Sequence, residues 1–144
     1  MKIRNTYHSI DAHEADYLYK QPSQVQNSGF GLFTAIHLYR EETVALFTGK
    51  ILSNREALDR VEKGVDQYFI NLLDGSIMDS RNSKCFAKYA NDANGPSKSH
   101  FTNNTRITLD EDEKVCIQAI RDIAANEELF CSYGKKYWKR HANR

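Results

Sequence analysis

The apolar segments of this chain are short, and turn-forming residues separate them. Six of them have the length and composition of strands: 31–36, 43–49, 67–73, 76–80, 106–109 and 114–120. The dipeptide Asp74-Gly75 separates the third from the fourth, and an aspartate before a glycine is a strong signal for a tight hairpin. The acidic residues 110–113 separate the last two in the same way. The sequence therefore predicts several small β-hairpins.

One helix is predicted, over residues 53–64. Ser53 and Glu56 have the spacing of a capping box, in which each side chain bonds the other residue's backbone amide. Gly64 can end the helix in the left-handed conformation. Many short strands with one clear helix predict an α+β domain that is mostly β.

Composition excludes several classes of protein. With 144 residues the chain is expected to form one domain, and its 40% apolar and 27% charged residues are ordinary for a globular protein. The formal net charge of +1 gives no reason to expect nucleic acid as a partner, and no apolar run approaches the length of a membrane span. The N-terminal residues lack the apolar core of a signal peptide, which predicts an intracellular protein.

The cysteines and histidines argue against a metal site. The three cysteines include no CxxC pair, and the five histidines are scattered without ligand spacing. An odd number of widely separated cysteines fits reduced thiols in a reducing compartment.

Three features could carry chemistry, and each has a plain structural alternative. Gly29 and Gly31 allow close backbone approach to a ligand, although a hairpin turn is the better explanation of the pair taken alone. The polar residues 91–94, which follow an apolar run, can form a tight hydrogen-bonded turn. The tyrosines at 68 and 133 offer a ring face to a cation and a hydroxyl to a polar group, but most such residues pack in a core.

The order of four motifs is more informative than any one of them. These motifs are GFG at 29–31, FTG at 47–49, KYAND at 88–92 and NEELFCSYG at 126–134. Over residues 27–140 their order resembles the SET domain of protein lysine methyltransferases. The chain departs from the family pattern at four positions, with Phe47 for tyrosine, Lys88 for arginine, Asp92 for histidine and Asn126 for glycine.

The resemblance implies a fold and an activity. The fold would be a β-clip of short sheets with a pseudoknot-like crossing near the C-terminus, with 27–144 as the SET domain and 1–26 as a lead-in within the same unit. The activity would be methyl transfer from S-adenosylmethionine to a lysine, with Tyr133 as the catalytic residue.

The resemblance also implies a set of site residues. Those expected to bind the cofactor are Gly29, Phe30, Gly31, Tyr68, Lys88, Asn91, Asp92, Tyr133 and Trp138. Those expected to form the lysine channel are Phe47, Tyr68, Cys131 and Tyr137. Because Cys131 is small where relatives often have an aromatic residue, the channel is expected to admit an amine that already carries a methyl group. No metal ligand is expected, since the cysteine-rich segments that flank many SET domains are missing here.

The expected partner is a protein or peptide that carries a lysine, such as a histone tail, and the expected location is nuclear in a eukaryote and otherwise cytoplasmic or a host cell. Two alternatives stay open. The altered third motif fits a SET-like module that binds peptides without catalysis. An unrelated β-rich interaction domain would make all four motifs accidental.

Overall fold

A computed structural model of the chain describes residues 9–72, 74–95 and 99–132. In chain order, the helices and strands of this part are α1 Glu14–Tyr17, β1 Leu18–Pro22, β2 Phe30–Thr34, β3 Thr43–Leu46, β4 Lys50–Leu52, α2 Asn54–Glu62, β5 Phe69–Asn71, β6 Ile77–Asp79, a 3₁₀ helix Ala87–Tyr89, β7 Thr105–Leu109, β8 Val115–Ala119 and β9 Glu128–Leu129. No helix within these ranges is long and apolar enough to cross a membrane.

The strands form small antiparallel sheets of three strands each. Their orders are β1-β2-β9, β3-β8-β7 and β4-β6-β5. The predicted α+β fold class, mostly β and made of short sheets, is confirmed. Two of the sheets contain a predicted hairpin, whereas the pairing of β2 with β9 joins opposite ends of the described chain.

The local signals that predicted turns and caps are confirmed. The Ser53 hydroxyl accepts from the Glu56 amide at 3.1 Å, and the Glu56 carboxylate accepts from the Ser53 amide at 3.1 Å. Gly64 follows the helix with φ +71°. Asp74-Gly75 lies in the loop between β5 and β6, where Asn71 pairs with Ile77.

The sequence missed α1, β1 and β4. Strand β1 begins with buried Leu18 but continues with half-exposed or exposed residues, so it lacks the alternation that marks a strand. Its register is nevertheless complete, from Leu18 opposite Thr34 to Pro22 opposite Phe30. The residues taken as a lead-in therefore supply an edge strand of a sheet.

The main hydrophobic core lies between the sheets that contain β2 and β8. Its fully buried members include Leu32, Leu38, Ile117, Ile123 and Leu129. A smaller cluster of Val25, Ala93 and Phe130 packs beside the polar turn at 91–94.

The segment after β9 passes between two earlier parts of the chain. Phe130 forms a parallel bridge with Asn91, and Cys131 forms one with Thr105. Asn104, which is 1% exposed, holds this segment with its side-chain amide. The amide nitrogen donates to the Glu128 carbonyl at 2.9 Å, and the amide oxygen accepts from the Phe130 amide at 2.8 Å. This is the pseudoknot-like crossing that the resemblance implied.

Candidate functional site

One cavity brings together six of the nine residues that were expected to bind the cofactor. It has a volume of about 340 Å³ and lies between the turn before β2, the residues before β5, and the 3₁₀ helix with the polar turn that follows it. Its walls are formed by Ser28, Gly29, Phe30, Gln67, Tyr68, Lys88, Tyr89, Ala90, Asn91 and Asp92. Six of these ten residues were expected to bind a cofactor, and they come from three distant segments.

The two glycines of the first wall have different physical roles. Gly29 lines the cavity and has φ +63°, a backbone conformation that is strained for any residue with a side chain. Gly31 does not line it. A Cβ at Gly31 would lie 2.3 Å from Oε2 of Glu128 and 3.2 Å from the Ser23 Cα. The second glycine of the motif therefore makes space for a buried carboxylate.

Glu128 is 1% exposed, and both of its carboxylate oxygens accept hydrogen bonds from the turn before β2. It accepts from the Ser23 hydroxyl at 2.7 Å and from the Gln24 amide at 2.8 Å. Its neighbour Glu127 bonds Arg121 at 2.9 Å on the other side of the strand. The two adjacent glutamates point in opposite directions and do not form an acid-base pair.

The polar turn at 91–94 is a packed element of the structure. Asp92 is 6% exposed, and its Oδ1 accepts from the Asn94 amide at 2.9 Å and from the Asn103 side chain at 3.0 Å. The Asn103 side chain also accepts from the Ala93 amide at 2.8 Å. This confirms the prediction of a hydrogen-bonded turn. The anchoring role of Asn103 was missed, and the only sequence signal for it is the adjacent asparagine pair before β7.

Asn91 connects the two walls of the cavity to the crossing segment. Its side-chain amide donates to the Phe30 carbonyl at 3.0 Å, and its own carbonyl accepts from the Cys131 amide at 2.8 Å. The cavity is therefore built on contacts that need three parts of the chain at once.

Lys88 lines the cavity but directs its ammonium toward a neighbouring loop. The Nζ atom lies 2.7 Å from the Ser83 carbonyl, 3.2 Å from that of Arg81 and 3.4 Å from that of Ser80. It also lies 5.6 Å and 5.3 Å from the ring centroids of Tyr68 and Tyr89. The lysine thus ties the 3₁₀ helix to the loop after β6 and adds positive charge to one wall.

A second lysine, Lys20 of β1, reaches the same place from outside the cavity. Its Nζ lies 4.9 Å from the centroid of the Phe30 ring and 4.8 Å from that of Tyr89, and it bonds the Tyr89 hydroxyl at 3.4 Å. Nothing in the local sequence marks Lys20, because only the pairing of β1 with β2 brings it here.

Two residues expected in the lysine channel lie away from this cavity. Phe47 and Cys131 are 4% and 0% exposed in the main core and do not line the cavity. Tyr133, Tyr137 and Trp138 lie outside the described residues. Within the part of the chain that the structure describes, no group of histidine, cysteine or carboxylate side chains is placed to hold a metal ion.

Comparison with known proteins gives a consistent result. Residues 29–134 match the family model of the SET domain. Over 128 residues the chain is 29% identical to the histone-lysine N-methyltransferase EZH2 of Chaetomium thermophilum, covering 80% of this chain and 8% of that protein.

Solved structures show the same likeness. A humanized mutant of the Chaetomium thermophilum Polycomb Repressive Complex 2 bound to the inhibitor GSK343 matches with a TM-score of 0.67 and 27% identity, over 81% of this chain and 15% of the other. An apo form of that complex with two mutations in Ezh2 matches with a TM-score of 0.68 and 27% identity, over 88% of this chain and 16% of the other. The chain thus corresponds to a small part of these relatives.

Proposed function

The chain belongs to the SET domain family, and from that membership we propose that it transfers methyl groups from S-adenosylmethionine to a lysine side chain of a protein. The observation that carries this proposal is the cavity where Gly29, Asn91 and Asp92 meet, which joins two family motifs that are about 60 positions apart in the sequence. The two motifs are far apart in the sequence, but residues of both line the same cavity.

The cavity fits a molecule of this kind. Its volume of about 340 Å³ lies within the usual range for small-molecule sites. Aromatic rings of Phe30, Tyr68 and Tyr89 form part of the walls and can contact a flat purine. Asp92 and Lys88 give the cavity wall charged residues of both signs, although the Lys88 ammonium is bonded to the loop after β6.

The cofactor would supply a methyl group on a positively charged sulfur. The lysine of the substrate must react as a neutral amine. A free lysine has a pKa of about 10.4, so losing its proton near pH 7.4 costs roughly 4 kcal/mol. An apolar channel lowers that cost, because removal from water disfavours the charged amine. We assign the orientation of the amine to the hydroxyl of Tyr133, by the family resemblance.

The substrate is proposed to be a histone, because a protein similar to this chain is a histone-lysine N-methyltransferase. In a eukaryotic cell this function would place the protein in the nucleus. We also propose that the chain assembles with other proteins, because the similar structures are of the Polycomb Repressive Complex 2. The chain spans only 15% of the matched chain in that structure.

The proposal is tested by incubating the chain with S-adenosylmethionine carrying a labelled methyl group and with histones, nucleosomes or cell extract. Tyr133→Phe is the matched control, and calorimetry with S-adenosylhomocysteine measures binding separately. We expect label on a lysine with the natural protein and little with the variant. Binding without transfer would favour the peptide-binding alternative, and absence of both at millimolar ligand would contradict the proposed function.

A further inference from the structure

Lys20 does not line the cavity, but its ammonium contacts the rings of two residues that do, Phe30 and Tyr89. We propose that Lys20 binds the carboxylate of the cofactor's amino-acid part, and so distinguishes S-adenosylmethionine and its product from adenosine compounds that lack this group. The inference rests on the proposed function, because it takes the cavity to be the cofactor site.

The first argument is the number of donors that remain available. An ammonium has three N–H groups. Lys88 has three carbonyl partners within 3.4 Å, those of residues 80, 81 and 83. Lys20 is exposed, and the one hydrogen bond that its ammonium makes within the described residues is the long contact of 3.4 Å with the Tyr89 hydroxyl. Lys20 can therefore bond an incoming carboxylate, whereas Lys88 would have to release the loop after β6.

The second argument is the position that the two rings impose. The Nζ atom lies within 5 Å of both ring centroids, at 4.9 Å for Phe30 and 4.8 Å for Tyr89. Such contacts hold a cation over the negative face of a ring. Phe30 is 52% exposed, so its ring face is accessible to the Lys20 ammonium. Both residues also line the cavity, so the ammonium is held next to two of its wall residues.

The third argument is the distribution of charge around the cavity. The buried carboxylate of Asp92 belongs to its wall and repels a second carboxylate nearby. A ligand with one carboxylate is more stable with that group beside Lys20, and with its neutral or amine-bearing parts near Asp92. A hydrogen-bonded charge pair of this kind, open to solvent on one side, changes affinity by about tenfold.

The test uses two ligands that differ only in the carboxylate, S-adenosylhomocysteine and its decarboxylated analogue, in calorimetry with the full chain. We expect the natural protein to bind the first about tenfold more tightly. In Lys20→Met this preference should disappear through weaker binding of S-adenosylhomocysteine alone. Lys20→Arg should retain the preference. Lys114→Met, which removes an exposed lysine from the β7–β8 turn, should match the natural protein.

The possible results are distinguishable. Loss of the preference in Lys20→Met and its retention in Lys114→Met would support the inference. Equal weakening of both ligands, or no change in either, would overturn it while leaving the cofactor site in place. If the natural protein binds neither ligand, the proposed function fails and this inference fails with it.

Discussion

The side-chain amide of Asn91 donates to the backbone carbonyl of Phe30 at 3.0 Å, across the cavity from one wall to the other. One side chain therefore fixes the relative position of two segments that share no strand pairing.

Asn91→Ala should lower both stability and cofactor affinity. The variant leaves the Phe30 carbonyl without this donor, which costs about 1–3 kcal/mol when the group is buried and less where water reaches it. We expect about 1 kcal/mol by urea denaturation, because Asn91 is only half-buried. Asn94→Ala is the control, since the hydrogen bond that Asn94 makes with Asp92 uses its backbone amide and not its side chain. Equal stability of the two variants would show that the Asn91 side chain does not join the walls.

Gly31→Ala should destabilise the fold more than Gly29→Ala. A Cβ at Gly31 meets the Glu128 carboxylate at 2.3 Å, whereas one at Gly29 meets no atom within 4 Å and suffers only from φ +63°. Overpacking costs about 1–3 kcal/mol, and the left-handed conformation about 1 kcal/mol. Thermal or urea unfolding of both variants gives the comparison.

The Glu128→Ala background identifies the cause. There, the additional cost of Gly31→Ala should shrink, because the colliding carboxylate is gone. A cost that stays unchanged would mean that the Ser23 backbone, 3.2 Å from the added Cβ, is the obstacle.

Tyr133→Phe should reduce methyl transfer by about 100-fold, because poor alignment of the reacting groups has an effect of this order. The change removes one hydroxyl, so melting temperature and binding of S-adenosylhomocysteine should stay close to those of the natural protein. Single-turnover rates with saturating cofactor measure the effect. Unchanged turnover would take Tyr133 out of the catalytic role.

The Cys116 thiol should make stability fall in alkaline solution. Burial, together with the charges of Asp110 and Glu111, raises the pKa of this thiol from 9.0 to about 11. The folded protein therefore keeps a proton that the unfolded chain releases, and the stabilisation is complete below pH 9 and lost as the pH rises toward 11. By pH 10 the loss should be about 1 kcal/mol.

Urea denaturation between pH 8 and pH 10, compared with Cys116→Ala, isolates this effect, since other titrating groups are common to both proteins. The natural protein should lose stability more steeply than the variant. Parallel pH profiles would mean that the thiol does not contribute.

The reaction should continue past one methyl group. Cys131, two positions before Tyr133, is 0% exposed and packs in the main core, so it places no aromatic bulk beside that tyrosine. Mass spectrometry of a peptide substrate over a long time course, with excess cofactor, should show two or three methyl groups. An end point at one methyl group would mean that other residues fill the channel.

Local signals explain which parts of the fold were predicted. The capping box of Ser53 and Glu56, the Asp74-Gly75 loop and the positive φ of Gly64 each depend on a few neighbouring residues, and all three are present. Strand β1 was missed because only its first residue is buried, so it has no apolar pattern of its own and is defined by its pairing with β2.

The site divides in the same way. Gly29, Asn91 and Asp92 were found because motifs mark them, and the structure places them around one cavity. Lys20 and Asn104 carry no local mark. Their positions depend on pairings between distant segments, which a single sequence does not reveal. Gly31 was marked, but the reason for it at this position is the Glu128 carboxylate, almost the length of the domain away along the chain.

The crossing of Phe130 and Cys131 between Asn91 and Thr105 also orders events during synthesis. A ribosome releases both flanking segments before the segment that must lie between them. Until then β2 lacks its partner β9, and the Ser23–Glu128 contact, 105 positions apart, cannot close. Such distant contacts slow folding, because a long loop must close before it is stabilised. A nascent chain would therefore present an open cavity and an unpaired strand edge, which makes this interval the one in which it most needs a chaperone.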